Sequence, residues 1–396
     1  MAAPAALPDP APIRAFLEER HVAFARDIAA WTPQLLKRPA INDDAGCRIE
    51  ARTLLGMLGK DRWLEPIKNE DWRACCLARE ALAAASPLAD AVFALQALGA
   101  LPILRHGTPR QRELFALPAL AGRSMAAFAM TERQAGSDIA AIATTATKAG
   151  DGYVLDGLKT YISNAGIADF YTVFASTDLG AKNKGITCFV IPAHSPGLRF
   201  VGPQILSAPH PLGEIQFDGC QVAIDQRLGE EGKGFAIGLA TLDRLRATVG
   251  AAACGMAARA LDEALKHVRS RHQFGKPLAD FQLVQDKLAR MATELTAARL
   301  LVYRAAWEAD RGAERVTLEA AMAKAYATEA AQRVVDDAVQ LLGGAGLMAS
   351  HPVDRLYRAV RALRIYEGTT EIQHLVIAGQ LLKQGEKDAE RATPGG

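Results

Sequence analysis

A glutamate set between an aromatic ring and a glycine, in Ile365-Tyr366-Glu367-Gly368-Thr369-Thr370-Glu371, is the most pointed chemical feature of this chain. It follows a basic stretch carrying Arg355, Arg358, Arg361 and Arg364. Most glutamates are solvated surface residues, but one held among apolar and backbone-exposing neighbours can act as a tuned base. Three further segments carry donors or rings. Phe128-Ala-Met130-Thr131-Glu132-Arg133-Gln-Ala-Gly-Ser137-Asp138 joins an apolar strand to a turn of small residues. Such a turn exposes backbone N–H groups and two hydroxyls, donors that suit a flavin edge and a pyrophosphate; a simple strand-to-loop transition reads the same way. Gly157-Leu-Lys-Thr-Tyr161-Ile-Ser163-Asn164 puts an aromatic ring beside hydroxyl and amide groups, as a cofactor platform or as core packing on a strand. Arg271-His-Gln-Phe274-Gly-Lys-Pro-Leu offers a guanidinium fork that can bind a phosphate or simply close a helix in solvent.

The elements that must position these residues change character twice along the chain. From about Ile13 to Ala121 the pattern is helical, with apolar residues at three- and four-residue steps through Leu77, Leu82 and Ala85, then Ala89, Phe93 and Leu98. Ser86-Pro87 between the two runs reads as an N-cap and first helical position. After Met125, Gly150-Asp151-Gly152 signals a turn, and short β-rich runs follow at Tyr153–Ser163, Phe170–Thr177, Ile186–Ile191, Leu198–Val201 and Glu214–Val222. Strands without intervening helices predict an antiparallel sheet or barrel. The helical period returns at Phe235 and holds to about Leu382. Val284, Leu288, Met291, Leu295, Ala298 and Val302 mark one long helix; Thr317 is the expected N-cap of the next, and Gly343-Gly344 its end. The reading is an α+β, mainly α chain: an N-terminal helical domain over 1–123, a middle antiparallel β-sheet domain over 124–232 and a C-terminal four-helix bundle domain over 233–396.

Composition narrows the function classes. The 396 residues exceed what one core usually holds, in keeping with several domains. Lys and Arg (46) nearly balance Asp and Glu (44) and are spread along the chain, which argues against a nucleic-acid partner. No run approaches the ~20 consecutive apolar residues of a bilayer span. A basic start followed by an apolar run is absent, so a cytoplasmic protein without membrane insertion is expected. The six cysteines show no paired framework and no CxxC, so reduced core thiols are expected, and the histidines lack metal-ligand spacing. The two tails, Met1–Pro12 and Gln384–Gly396, are expected to be mobile.

In this order and across this layout, the four segments resemble the acyl-CoA dehydrogenase family, from about residue 15 to residue 383. Thr131-Glu132 with Ala135-Gly136-Ser137-Asp138 is similar to the family's first signature; Arg271 to Gln285 and Tyr366-Glu-Gly-Thr-Thr-Glu-Ile-Gln are similar to its C-terminal ones. Gln340-Leu-Leu-Gly-Gly344-Ala-Gly stands 27 positions before Glu367, as in the family pattern. The resemblance implies FAD, with its ring between the sheet domain and the helical bundle. Phe128, Met130, Thr131 and Ser137 would line the flavin and its pyrophosphate, and Tyr161 and Ser163 the ring, where most members have Trp at position 161. Arg271, Phe274, Gln340 and Gly344 would reach the adenosine half from a neighbouring subunit, implying a homo-oligomer, typically a tetramer built as a dimer of dimers. Thr369 and Glu371 would also border the cofactor. Ser137, Asp243, Arg246, Tyr366 and Gly368 would hold the acyl-CoA.

The chemistry so implied is dehydrogenation of an acyl-CoA thioester to the trans-2-enoyl-CoA. Glu367 would take the α-proton, and the β-hydrogen would leave as hydride for flavin N5. Hydrogen bonds to the thioester oxygen, from the base's own N–H and a flavin hydroxyl, would stabilise the enolate. Some members carry the base near Arg246; here that position is Leu245, which cannot accept a proton. An electron-transfer flavoprotein is the acceptor the family implies. Three residues depart from the pattern: Arg133 for a proline, Ala359 for an acidic residue and His374 for an arginine. Ala89 stands where glutaryl-specific relatives carry an arginine, with Arg79 on the preceding helix as a possible substitute, so an uncharged acyl tail is expected. Other readings of the same fold are an acyl-CoA oxidase, whose chains are usually longer, and monooxygenase, nitroalkane-oxidase or desulfinase relatives, which would lack the YEG glutamate. A non-catalytic flavin- or CoA-binding scaffold is the alternative from another class.

Overall fold

A computed structural model describes the backbone of residues 8–39, 41 and 43–392, with side chains as far as Lys383. The order is helices, sheet, helices. On the N-terminal side are α1 (Glu19–Trp31), α2 (Asp44–Lys60), α3 (Trp72–Ala85) and α4 (Pro87–His106). The strands are β1 (Ala126–Ala129), β2 (Thr145–Ala149), β3 (Gly152–Ser163), β4 (Phe170–Ser176), β5 (Ile186–Pro192), β6 (Leu198–Pro203), β7 (Leu212–Ala223) and β8 (Arg227–Leu228). The C-terminal helices are α5 (Gly234–Ser270), α6 (Gln282–Asp310), α7 (Thr317–Leu342), α8 (Pro352–Leu363) and α9 (Thr370–Ala392).

The strand order is β6-β7-β3-β2-β4-β5-β8, with β1 paired to β4. The sheet is not purely antiparallel: β1 runs parallel to β4, in register Ala126↔Phe170 to Ala129↔Val173. The difference has a reason in the side chains. β4 and β5 are buried on both faces, so they read as continuous apolar runs, whereas β3 and β7 alternate. Other expectations shift slightly. Val316, not Thr317, is the N-cap of α7, while Gly343 ends it at φ +58°. Of the two tails, residues 1–7 and 393–396 lie outside the described residues. Within the described part of the first tail, Arg299 donates to the Asp9 carbonyl at 2.5 Å, and the α9 backbone continues to Ala392.

The chain forms two compact units that interleave in sequence: residues 1–36, 72–87 and 246–396, and residues 37–71 and 88–245. In the first unit, α3 brings Glu80 into the core, where it is fully buried, pairs with Arg299 Nε at 2.8 Å and accepts from the Tyr303 hydroxyl at 2.8 Å. Arg73 pairs with Asp310 at 2.5 Å beside it. In the second unit, α2 is tied to the sheet by Arg48, which donates to the carbonyls of Ala165 and Leu212. Gln96 of α4 donates to Ser124 O (2.7 Å) and accepts from Ala126 N (2.7 Å), holding β1 at its start. α4 is apolar and long enough by length and composition to cross a bilayer, although Asp90 and Gln96 interrupt its apolar run. That apolarity is spent inside the fold: 83% of its apolar window is buried. All six cysteines are free and buried, and burial pushes the Cys47 thiol up to about 12.

Close packing in the first unit makes one glycine testable. A Cβ at Gly255 of α5 would lie 2.1 Å from the Glu80 carbonyl oxygen, a backbone atom that cannot swing aside. Gly255→Ala should therefore destabilise by about 1–3 kcal/mol. Gly56→Ala, where nothing lies within 4 Å, should not. Calorimetric melting of both variants checks this; equal melting temperatures would contradict it.

Candidate active site

Glu367 stands in the link between α8 and α9, in the first unit. Its backbone is left-handed, with φ +54°, and Gly368 follows at +90°. A glutamate in that region costs of order 1–3 kcal/mol, so the surroundings must impose it. They do so from α7. Lys324, fully buried, donates from Nζ to the Gly368 carbonyl at 2.7 Å. Glu329, also on α7, accepts from Arg364 Nε and from the Thr370 hydroxyl, both at 2.7 Å, and so grips the two ends of the link. The buried Gln373 amide donates to the carbonyls of Glu367 (3.2 Å) and Gly368 (3.0 Å). Thr369 accepts from Ile372 N and opens α9. Burial pulls the Lys324 ammonium down to about 8, against the Glu367 charge, which favours the protonated form, and with Arg246, which disfavours it. Glu367 is half-buried, Tyr366 exposed and Glu371 exposed. Its own backbone N–H, with the Thr369 hydroxyl, holds the Glu371 carboxyl below its ordinary range.

Asp243 and Arg246 lie one turn apart on α5. Arg246 is buried at 5% exposure and Asp243 half-buried; Leu245 between them is in the core. Arg271 and Phe274 sit on the short hairpin after α5, where Phe274 has φ +52° and is 93% exposed. Gln340 and Gly344 are exposed at the C-terminal end of α7. These four residues therefore face solvent from two separate segments.

The second unit gathers the candidate flavin residues along β1 and β3. Phe128 packs its ring 4.8 Å from Phe174, Met130 is buried, Thr131 and Ser163 are partly buried, and Ser137 is exposed. Thr160 N donates to Thr131 O at 3.0 Å. A bulge in β3 between Lys159 and Ile162 puts Tyr161 at φ +54° and leaves its ring 62% exposed, which core packing on a regular strand would not do. Ser163 Oγ is 2.7 Å from His210 Nε2, and burial pulls that imidazole down to about 4, so it is neutral at neutral pH. This donor set fits the edge of a flavin: hydroxyls, a backbone turn and an outward aromatic ring, with open space around Gly136.

Sequence reasoning passed over what holds this loop. Glu132 is buried and accepts from Ala143 N (2.6 Å), Thr144 N (3.0 Å) and Lys159 Nζ (2.7 Å); Lys159, fully buried, also donates to Met130 O at 3.0 Å. Lys324, Gln373 and His210 were likewise not singled out. The available signal was a lysine on the otherwise alanine face of α7, with Ala320, Ala327 and Ala331. Of the three departures, Arg133 pairs with Glu214 through two hydrogen bonds (3.0 and 2.8 Å), Ala359 is buried in α8, and His374 is exposed on α9.

The Lys159–Glu132 pair has a pH signature. Burial pushes the Glu132 carboxyl up, but Lys159 and three hydrogen bonds outweigh it and hold it below 4.5, so its contribution is present above pH 4.5 and lost as pH falls. Lys159→Met leaves a lone buried carboxylate and should cost about 3–5 kcal/mol at neutral pH. That penalty should shrink in acid, where the lone carboxyl protonates. Melting temperatures of both proteins between neutral and acid pH check this; a pH-independent penalty would contradict it.

Comparison with known proteins agrees with this geometry. Residues 127–220 match the acyl-CoA dehydrogenase middle domain and residues 232–382 the acyl-CoA dehydrogenase C-terminal domain. A 3-(aryl)acrylate reductase of Clostridium sporogenes is 45% identical over 284 residues, covering 71% of this chain and 75% of that one. The structure of butyryl-CoA dehydrogenase from Megasphaera elsdenii superposes with a TM-score of 0.82 at 35% identity, covering 92% and 97% of the two chains. A chain from the structure of the electron transferring flavoprotein of Acidaminococcus fermentans reaches 0.86 at 34% identity, covering 92% and 98%. Two matched domains, a shared fold and signature residues in the same order place this chain in the acyl-CoA dehydrogenase family, among the flavoprotein oxidoreductases.

Proposed function

We propose that this protein removes the α- and β-hydrogens of an acyl-CoA thioester, with FAD as cofactor and Glu367 as the base. The observation that carries the reading is the left-handed Glu367, whose backbone carbonyl and that of Gly368 are held by buried donors in a conformation the chain would not adopt by itself. Phe128, Met130, Thr131, Ser137, Tyr161 and Ser163 would hold FAD along the β1–β3 edge, and bound FAD supplies the acceptor for the β-hydrogen. Arg246, with Asp243, Ser137, Tyr366 and Gly368, would bind the thioester and its CoA. The α-proton leaves to the Glu367 carboxylate, and the Glu367 N–H donates to the thioester oxygen as negative charge gathers there. The exposed Phe274 and Arg271, with Gln340 and Gly344, suit contact with the FAD of a second copy, which supports a homo-oligomer. An electron-transfer flavoprotein as acceptor is supported by the Acidaminococcus fermentans match.

Glu367→Gln should remain a yellow, FAD-loaded protein yet slow anaerobic flavin bleaching by at least ~10²-fold. A near-normal bleaching rate would remove Glu367 from the role, and no bleaching of the wild type by any thioester would favour a binding scaffold.

The acyl group is best read as uncharged. Ala89 is fully buried, and Arg79, the alternative cation, is buried at 1% exposure and donates to the Thr248 hydroxyl at 3.0 Å. The aryl-acrylate reductase relative favours a second reading, in which the chain works in the reducing direction on an arylacryloyl thioester. Among butyryl-, longer straight-chain, 3-phenylpropanoyl- and glutaryl-CoA, a monoacyl thioester should bleach the flavin fastest. Glutaryl-CoA leading the panel would overturn the pocket reading.

A further inference from the structure

The link that carries Glu367 is held by two residues of α7 and one of α9. Glu329 of α7 ties Arg364 and Thr370, the residues that enter and leave the link, and Lys324 ties the carbonyl in its middle. Gln373 adds the third hold, bonding the carbonyls on both sides of the Glu367–Gly368 peptide. Burying a lysine completely is costly unless its charge is answered, and here the answer is a backbone carbonyl together with the nearby Glu367 carboxylate. Fold support alone does not require this arrangement: the same alanine face of α7 packs without charge at Ala320, Ala327 and Ala331. A left-handed residue directs its Cα–Cβ bond differently from a right-handed one. Releasing the two carbonyls would let the link relax toward ordinary backbone and swing the carboxylate away from its line.

We propose that Lys324 is a positioning residue for Glu367: its buried ammonium, with the Gln373 amide, fixes the Glu367–Gly368 peptide and thereby the direction of the base. The inference rests on Glu367 being the base. Lys324 touches neither substrate nor cofactor in this account; it acts through the turn.

The test uses FAD-loaded full-length protein and the fastest thioester of the panel, with anaerobic flavin bleaching followed in a stopped-flow instrument. Lys324→Met should lower the limiting bleaching rate by about 10²-fold, the loss expected when a reacting group is displaced by about 1 Å. The FAD content should stay close to wild type, and the thioester concentration at half-maximal rate should change far less than the rate, because Arg246, Asp243 and Ser137 are untouched. Gln373→Leu, which strips the second donor without emptying a charge site, should repeat the pattern with a smaller loss. An unchanged limiting rate in loaded Lys324→Met overturns the proposal, as does a rate loss matched by equal losses in FAD content and half-saturation, the mark of a merely structural role. If Lys324→Met does not load FAD, Gln373→Leu decides alone: a wild-type limiting rate there is also fatal. Glu367→Gln run alongside separates the two layers. A normal rate in that variant sinks the base assignment and this inference with it; a slow Glu367→Gln with normal Lys324 and Gln373 variants sinks only the positioning role.

Discussion

The candidate chemistry of this protein depends on a strained backbone position, a glutamate at φ +54° whose carbonyl and that of the next residue are held by a buried lysine and a buried glutamine. An unsupported chain would put Glu367 in the ordinary helical or extended region, since the left-handed region penalises any residue with a Cβ. Keeping it there takes α7 at a defined distance, α8 ending at Leu363 and α9 starting at Thr370, with Glu329 closing both ends. Long helices are the economical way to hold such distances, because a helix packed on one face transmits position over its whole length.

The second unit solves a related problem by the same means. Lys159, fully buried, bonds the Met130 carbonyl and pairs with Glu132, which in turn takes two backbone N–H groups from residues 143 and 144. In each unit, then, a lysine far from solvent fixes a carbonyl of the segment that carries the candidate chemistry. The two differ in their partner. Lys159 pairs with a carboxylate at 2.7 Å, whereas Lys324 bonds a backbone carbonyl, that of Gly368, at 2.7 Å.

Much of this was legible beforehand. The helix–sheet–helix order, the break at Ser86, the end of α7 at Gly343 and five of the strands follow from periodicity and turn residues, because those signals are local. The parallel pairing of β1 with β4 was not legible, since it depends on a partner 44 residues away. Nor was the outward Tyr161, because the β3 bulge that turns it out is set by pairing with β7. Glu367 could be singled out from its neighbours Tyr366 and Gly368. Lys324 showed only as a lysine on an alanine face, a signal without meaning until the Gly368 carbonyl is placed against it. The bond from Arg299 to Asp9 was hidden for the same reason.

On the proposed mechanism, the Glu367 carboxylate removes the proton next to the thioester. The most direct measurement isolates that step, using an acyl-CoA analogue with sulfur in place of the β-carbon, so that no hydride can leave. Incubated in deuterated water with the FAD-loaded enzyme, its α-hydrogens should wash out into solvent, as read by proton NMR, and the Glu367→Gln protein should leave them in place. Equal wash-out by both proteins would mean that another group takes the proton, and the account built on this residue would fail.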